Sequence, residues 1–65
     1  MKVRDLIKRL ESEGWRQVRV RGSHRQFHHP TKGGTVTVSG HLGADIPPGT
    51  YASVLKQAGL KKEGV

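Results

Sequence analysis

The chain has 65 residues, no cysteine, and 12 lysines and arginines against 5 acidic residues, giving a net charge of +7. That length leaves room for one domain, residues 1–65, and the lack of cysteine removes disulfides and thiolate metal ligation as supports for a small core. No apolar run is long enough to cross a membrane and the N-terminus has no signal-peptide pattern, so a cytoplasmic protein is expected.

Val3, Leu6, Ile7 and Leu10 follow the i, i+3, i+4, i+7 spacing of one helical face, which predicts a helix over residues 2–13 that ends at Gly14. From Trp15 to Arg21 the period changes to two, with Val18 and Val20 alternating against Gln17, Arg19 and Arg21, as in an amphipathic strand. Gly22-Ser23 has the composition of a two-residue type II′ turn, and residues 24–29 form the return strand. Residues 30–34 are rich in breakers and lead to a third strand over Thr35–Ser39. Residues 40–49 read as a glycine- and proline-broken surface loop. Tyr51, Val54, Leu55 and Ala58 resume helical spacing, started by Pro48 or Thr50 and stopped by Gly59, with Leu60 packing back as in a Schellman motif. The last five residues are expected to fray. The order predicts an α+β, αβββα two-layer domain with both helices on one face of an antiparallel meander, the topology of double-stranded-RNA-binding domains (dsRBDs). Its expected core is Val18, Val20, Phe27, Val36 and Val38 against Leu6, Ile7, Leu10, Val54 and Leu55.

The positive charge is uneven. No acid lies between Glu13 and Asp45, while Arg16, Arg19, Arg21, Arg25 and Lys32 do, and a compact cationic excess of this kind attracts nucleic acid. A two-residue turn sets Arg21 opposite His24, Arg19 opposite Gln26, Val20 opposite Arg25 and Val18 opposite Phe27. Arg19, Arg21, His24, Gln26 and His28 then share a face open to a ligand. Such a face offers an imidazole to take the proton of an RNA 2′-hydroxyl and fixed cations for the phosphate, so that attack by the 2′-oxygen would give a 2′,3′-cyclic phosphate without a metal. His24 is the candidate catalytic residue, and Arg19, Arg21, Arg25, His28 and Lys32 are the candidate RNA contacts.

No metal and no other cofactor is expected. His24 and His28 would stand roughly 13 Å apart along one strand, and the adjacent His28 and His29 would point to opposite faces. His41, in the glycine-rich loop, is either an auxiliary substrate contact or simply exposed. Phe27 belongs to the core; Trp15 packs against the end of the first helix and Tyr51 covers an edge, rather than stacking on bases.

Val3-Arg4-Asp5-Leu6-Ile7, Gly14-Trp15, Arg21-Gly22-Ser23-His24-Arg25, Phe27, His29-Pro30, Pro48-Gly49-Thr50 and the closing Leu55-Lys56-Gln57-Ala58-Gly59-Leu60 together resemble the HicA (YcfA-like) toxin family over nearly the whole chain. The resemblance implies a dsRBD-like, metal-independent mRNA interferase of a type II toxin–antitoxin system. It also implies one essential histidine, matched here by His24, single-stranded mRNA as substrate and neutralisation by a HicB-type antitoxin. Ser39-Gly40-His41-Leu42-Gly43-Ala44 departs from the more polar or basic stretch that family would have there. The alternative function is a non-catalytic RNA-binding module of the same fold.

Overall fold

A computed structural model describes residues 1–60, in the order α1 (Val3–Ser12), β1 (Arg16–Arg21), β2 (His24–His28), β3 (Val36–Val38) and α2 (Pro48–Gln57). The expected fraying of the last five residues lies outside the described residues. The strands form an antiparallel sheet in the order β1-β2-β3, so β2 is central and the chain is an α+β fold with the predicted αβββα order. No described helix is long and apolar enough to cross a membrane.

Both helices end by the same device. Gly14 (φ +97°) and Gly59 (φ +70°) take the left-handed conformation. The residue after each glycine then turns back on the helix, with Trp15 N–H donating to the Leu10 carbonyl at 3.0 Å and Leu60 N–H to the Leu55 carbonyl at 2.8 Å. The Schellman motif expected at Gly59 is therefore present at Gly14 as well. In each case an apolar side chain is returned to the core: Trp15 is 1% exposed, and Leu60 packs against the cluster.

That cluster is Val3, Leu6 and Leu10 from α1, Trp15, Phe27 from β2, Val36 and Val38 from β3, and Val54, Leu55 and Ala58 from α2 and its cap, with Ile7 and Tyr51 packed at its margin. Two expected members are absent from it, because Val18 is 53% and Val20 54% exposed. Two physical causes operate. A bulge lies between Gln17 and Arg19, so Gln17 rather than Val18 stands opposite Phe27, which corrects the expected register there. Val20 does pair with Arg25 on the helix-facing side, but the helical layer does not reach over β1, and all six residues of that strand are exposed. Alternation reports which way a side chain points; it does not report whether another element covers it.

Residues 40–46 are a strap rather than a free loop. Val3 N–H donates to the Ala44 carbonyl (2.9 Å) and Arg4 N–H to the Leu42 carbonyl (3.1 Å), which satisfies two of the donors that a helix leaves unpaired at its start. Ile46 N–H donates to the Met1 carbonyl (2.9 Å), and Lys2 pairs with Asp45 at 3.0 Å, holding that carboxyl below its ordinary range.

Leu10→Ala and Leu55→Ala should each cost about 2–5 kcal/mol, since both side chains are fully enclosed. Val18→Thr and Val20→Thr should stay within about 0.5 kcal/mol of the parent, as surface changes do. Urea melts of the four variants test this division, and a large loss at either valine would contradict the uncovered strand.

Candidate nucleic-acid interface

The face of the sheet away from the helices is organised by the β1–β2 turn and the bulge. Gly22 has φ +59° while Ser23, like every other non-glycine residue described, has negative φ. This is the pattern of a type II′ turn, and it fixes Arg21 opposite His24, Val20 opposite Arg25 and Arg19 opposite Gln26, as the sequence predicts. Directly paired residues of an antiparallel ladder share a face, so Arg19, Arg21, His24 and Gln26 lie together. The four line one shallow depression on the sheet.

The bulge adds a residue to this face. Arg16 pairs with His28, so beyond the irregularity Arg16 comes to the same side as Arg19 and Arg21. Strict alternation would have put Arg16 and Arg19 on opposite sides. Sequence reasoning therefore missed Arg16, and nothing in the local sequence announces the bulge that turns it. Alternation puts Gln26 on this face without marking it as a contact; the partly buried residue lines the depression beside His24.

His28 is exposed at the far end of β2, with Nε2 3.1 Å from Thr35 Oγ1. The remaining predicted contacts are not brought to this face. Arg25 lies on the helix-facing side, where its Nη1 donates to the Gly40 carbonyl at 2.8 Å and more weakly to the Ser23 carbonyl at 3.5 Å. Gly40 N–H in turn donates to the Ser23 carbonyl at 3.2 Å, so Arg25 and the strap brace the turn that carries His24. Lys32 Nζ reaches the Ala58 carbonyl at 3.3 Å, a cation on the negative end of α2. His41 is exposed on the strap, one residue beyond the Gly40–Ser23 contact.

His29 has a separate, architectural place. Its Nδ1 faces the N–H groups of Thr31 and Lys32, each at 3.1 Å, so this nitrogen is the acceptor and Nε2 carries the hydrogen donated to the Glu13 carbonyl at 2.9 Å. The ring meets Trp15 edge to face, with centroids 5.3 Å apart. A Cβ on Gly14 would lie 2.7 Å from His29 Nε2. Trp15 Nε1 is buried with no hydrogen-bond partner among the described residues, so there Trp15 is held by its bulk and not by its polar edge. Among the described residues no three His, Asp or Glu side chains converge as a ligand set.

His29→Ala should therefore lose about 1–3 kcal/mol of stability, from the bonds it leaves unmade and the lost Trp15 contact. Gly14→Ala should be destabilised as well, by its backbone conformation and the close approach to the ring. His24→Ala should melt within about 0.5 kcal/mol of the parent. Thermal or urea denaturation of the three variants separates the structural histidine from the one on the open face.

The model of the family described as the HicA toxin of bacterial toxin–antitoxin systems matches residues 3–60 of the chain. No curated protein matches it.

Proposed function

The chain belongs to the HicA family of bacterial toxin–antitoxin toxins, and on that premise we propose that it is an endoribonuclease cleaving single-stranded mRNA, with His24 as its single catalytic residue and no metal. The observation that carries this reading is the depression that joins His24 to Arg19, Arg21 and Gln26. An exposed imidazole that shares one depression with two arginines fits the needs of RNA cleavage better than those of a passive binding face. His24 takes the proton of a 2′-hydroxyl as its oxygen attacks the adjacent phosphorus. The 2′-O–P bond forms and the P–O5′ bond breaks, leaving a 2′,3′-cyclic phosphate and a 5′-hydroxyl whose proton comes from water. Arg19 and Arg21 stabilise the charge that develops on the phosphate oxygens.

Arg16, paired with His28 further along the same face, extends the cationic track for the RNA backbone. Arg25 acts here as a positioning residue through the Gly40–Ser23 bracing, and Lys32 stands apart at the end of α2. A HicB-type antitoxin would neutralise the toxin by covering the open face with acidic side chains.

Incubation of the protein with single-stranded RNA in EDTA tests the mechanism. The parent should cleave RNA slowly and leave DNA and 2′-O-methyl RNA intact. His24→Ala should lose about 10²–10⁴-fold in rate while keeping its fold and much of its RNA affinity. Arg21→Ala should weaken both cleavage and binding, and lower the salt slope of binding by about 1. Cleavage by His24→Ala at the parental rate would remove His24 from the mechanism. RNA binding without cleavage by the parent would favour the non-catalytic module instead.

A further inference from the structure

β1 is an edge strand that no other element covers among the described residues. It lies at one end of the three-stranded sheet, and all six of its residues are exposed. Its charged and apolar residues are also segregated. Arg16, Arg19 and Arg21 share the open face with His24, whereas Val20 points to the helix-facing side and stays 54% exposed. The main chain adds a further feature. In a two-residue hairpin the residues flanking the turn exchange both ladder hydrogen bonds, so Arg21 and Arg19 bond inward to β2 while the N–H and C=O of Val20 point outward to the free edge.

Native proteins protect such edges with charge and with bulges, and β1 has both. The protection is selective. A second copy of this chain, itself at net charge +7, is repelled by the three arginines. A strand carrying carboxylates is attracted by them. Alternation fixes the composition of the segment that fits: acidic residues beside Arg19 and Arg21 on the open face, apolar residues beside Val20 on the other.

We propose that the antitoxin partner docks by adding an extended segment of alternating acidic and apolar residues to the free edge of β1. The segment pairs its main chain with Val20 and its carboxylates with Arg16, Arg19 and Arg21. Strand addition supplies backbone hydrogen bonds, and the side-chain alternation supplies the selectivity. The added carboxylates lie next to the depression that holds His24, so one contact both anchors the partner and closes the cationic face. The proposal rests on membership of a toxin–antitoxin family and does not require that the chain cleave RNA.

The test uses the isotopically labelled protein and a synthetic peptide of alternating glutamate and valine, with a lysine-for-glutamate peptide as control, read by amide hydrogen exchange. In the free protein the Val20 amide should exchange quickly while those of Arg19 and Arg21 are protected. Saturating glutamate peptide should slow exchange at Val20 about tenfold or more, the control peptide should not, and added salt should weaken binding. Val20→Pro removes only the outward donor, at an edge position where proline is tolerated, and should weaken peptide binding about tenfold while RNA cleavage and the circular dichroism spectrum are retained. The proposal is overturned if the glutamate peptide leaves Val20 exchange unchanged in the parent protein, or if folded Val20→Pro binds it with parental affinity. Protection of Val20 by an RNA oligonucleotide but not by the peptide would overturn it too, and would give this edge to RNA.

Discussion

The contact on which the rest of the fold depends is the imidazole of His29, held between the end of α1 and the start of the loop after β2. Its Nε2 hydrogen goes to the Glu13 carbonyl at the C-terminus of the helix, and its Nδ1 accepts from the backbone of Thr31 and Lys32. The bonds tie together segments that are sixteen residues apart in the chain. Gly14 has to be glycine twice over, for its positive φ and for the room the ring occupies. Once the junction is closed, Trp15 is delivered to the core and β1 begins at Arg16 with its partner β2 already in place beside it. In a chain with no disulfide, a polar junction of this kind fixes the packing of an otherwise small apolar core.

From that anchor two local irregularities decide what the open face contains. The type II′ turn at Gly22-Ser23 sets one end of the β1–β2 register, and the His29 junction sets the other. The two ends differ by one residue, and the bulge at Val18 absorbs the difference. The consequence is electrostatic: Arg16, Arg19 and Arg21 are gathered on one side, opposite His28, Gln26 and His24. Val18 is left exposed by that arrangement, while Trp15, just before the strand, is buried in the core.

Features set by neighbouring residues were legible in the sequence. The first helix follows from the spacing of Val3, Leu6 and Leu10, the hairpin register near His24 follows from a glycine at the one turn position that needs positive φ, and the end of α2 follows from Gly59-Leu60. Features set by distant contacts were not. The bulge answers to His29, far from Val18 in sequence, and the exposure of Val20 depends on how far the helical layer extends. Basic character and closeness in sequence group Arg25 and Lys32 with the site, yet each is used by a backbone carbonyl on another side of the molecule. Charge along a chain locates a basic region, and only pairing tells which of its members share a face.

The strap over residues 40–46 shows how a glycine-rich segment can support the site through its backbone alone. Its work is done by the main chain: the Leu42 and Ala44 carbonyls receive the first N–H groups of α1, and the Gly40 carbonyl and N–H engage Arg25 and Ser23. Bonds made by the backbone place little demand on side chains, which is compatible with Gly40, Gly43 and Ala44 in this segment. Gly40 itself takes φ +105°, a conformation that most other residues would adopt only under strain. The glycines therefore permit the strap to link the start of α1 to the turn beside His24. Through it, the one turn whose geometry orients His24 is buttressed from the helical layer, while the face that the histidine presents stays open.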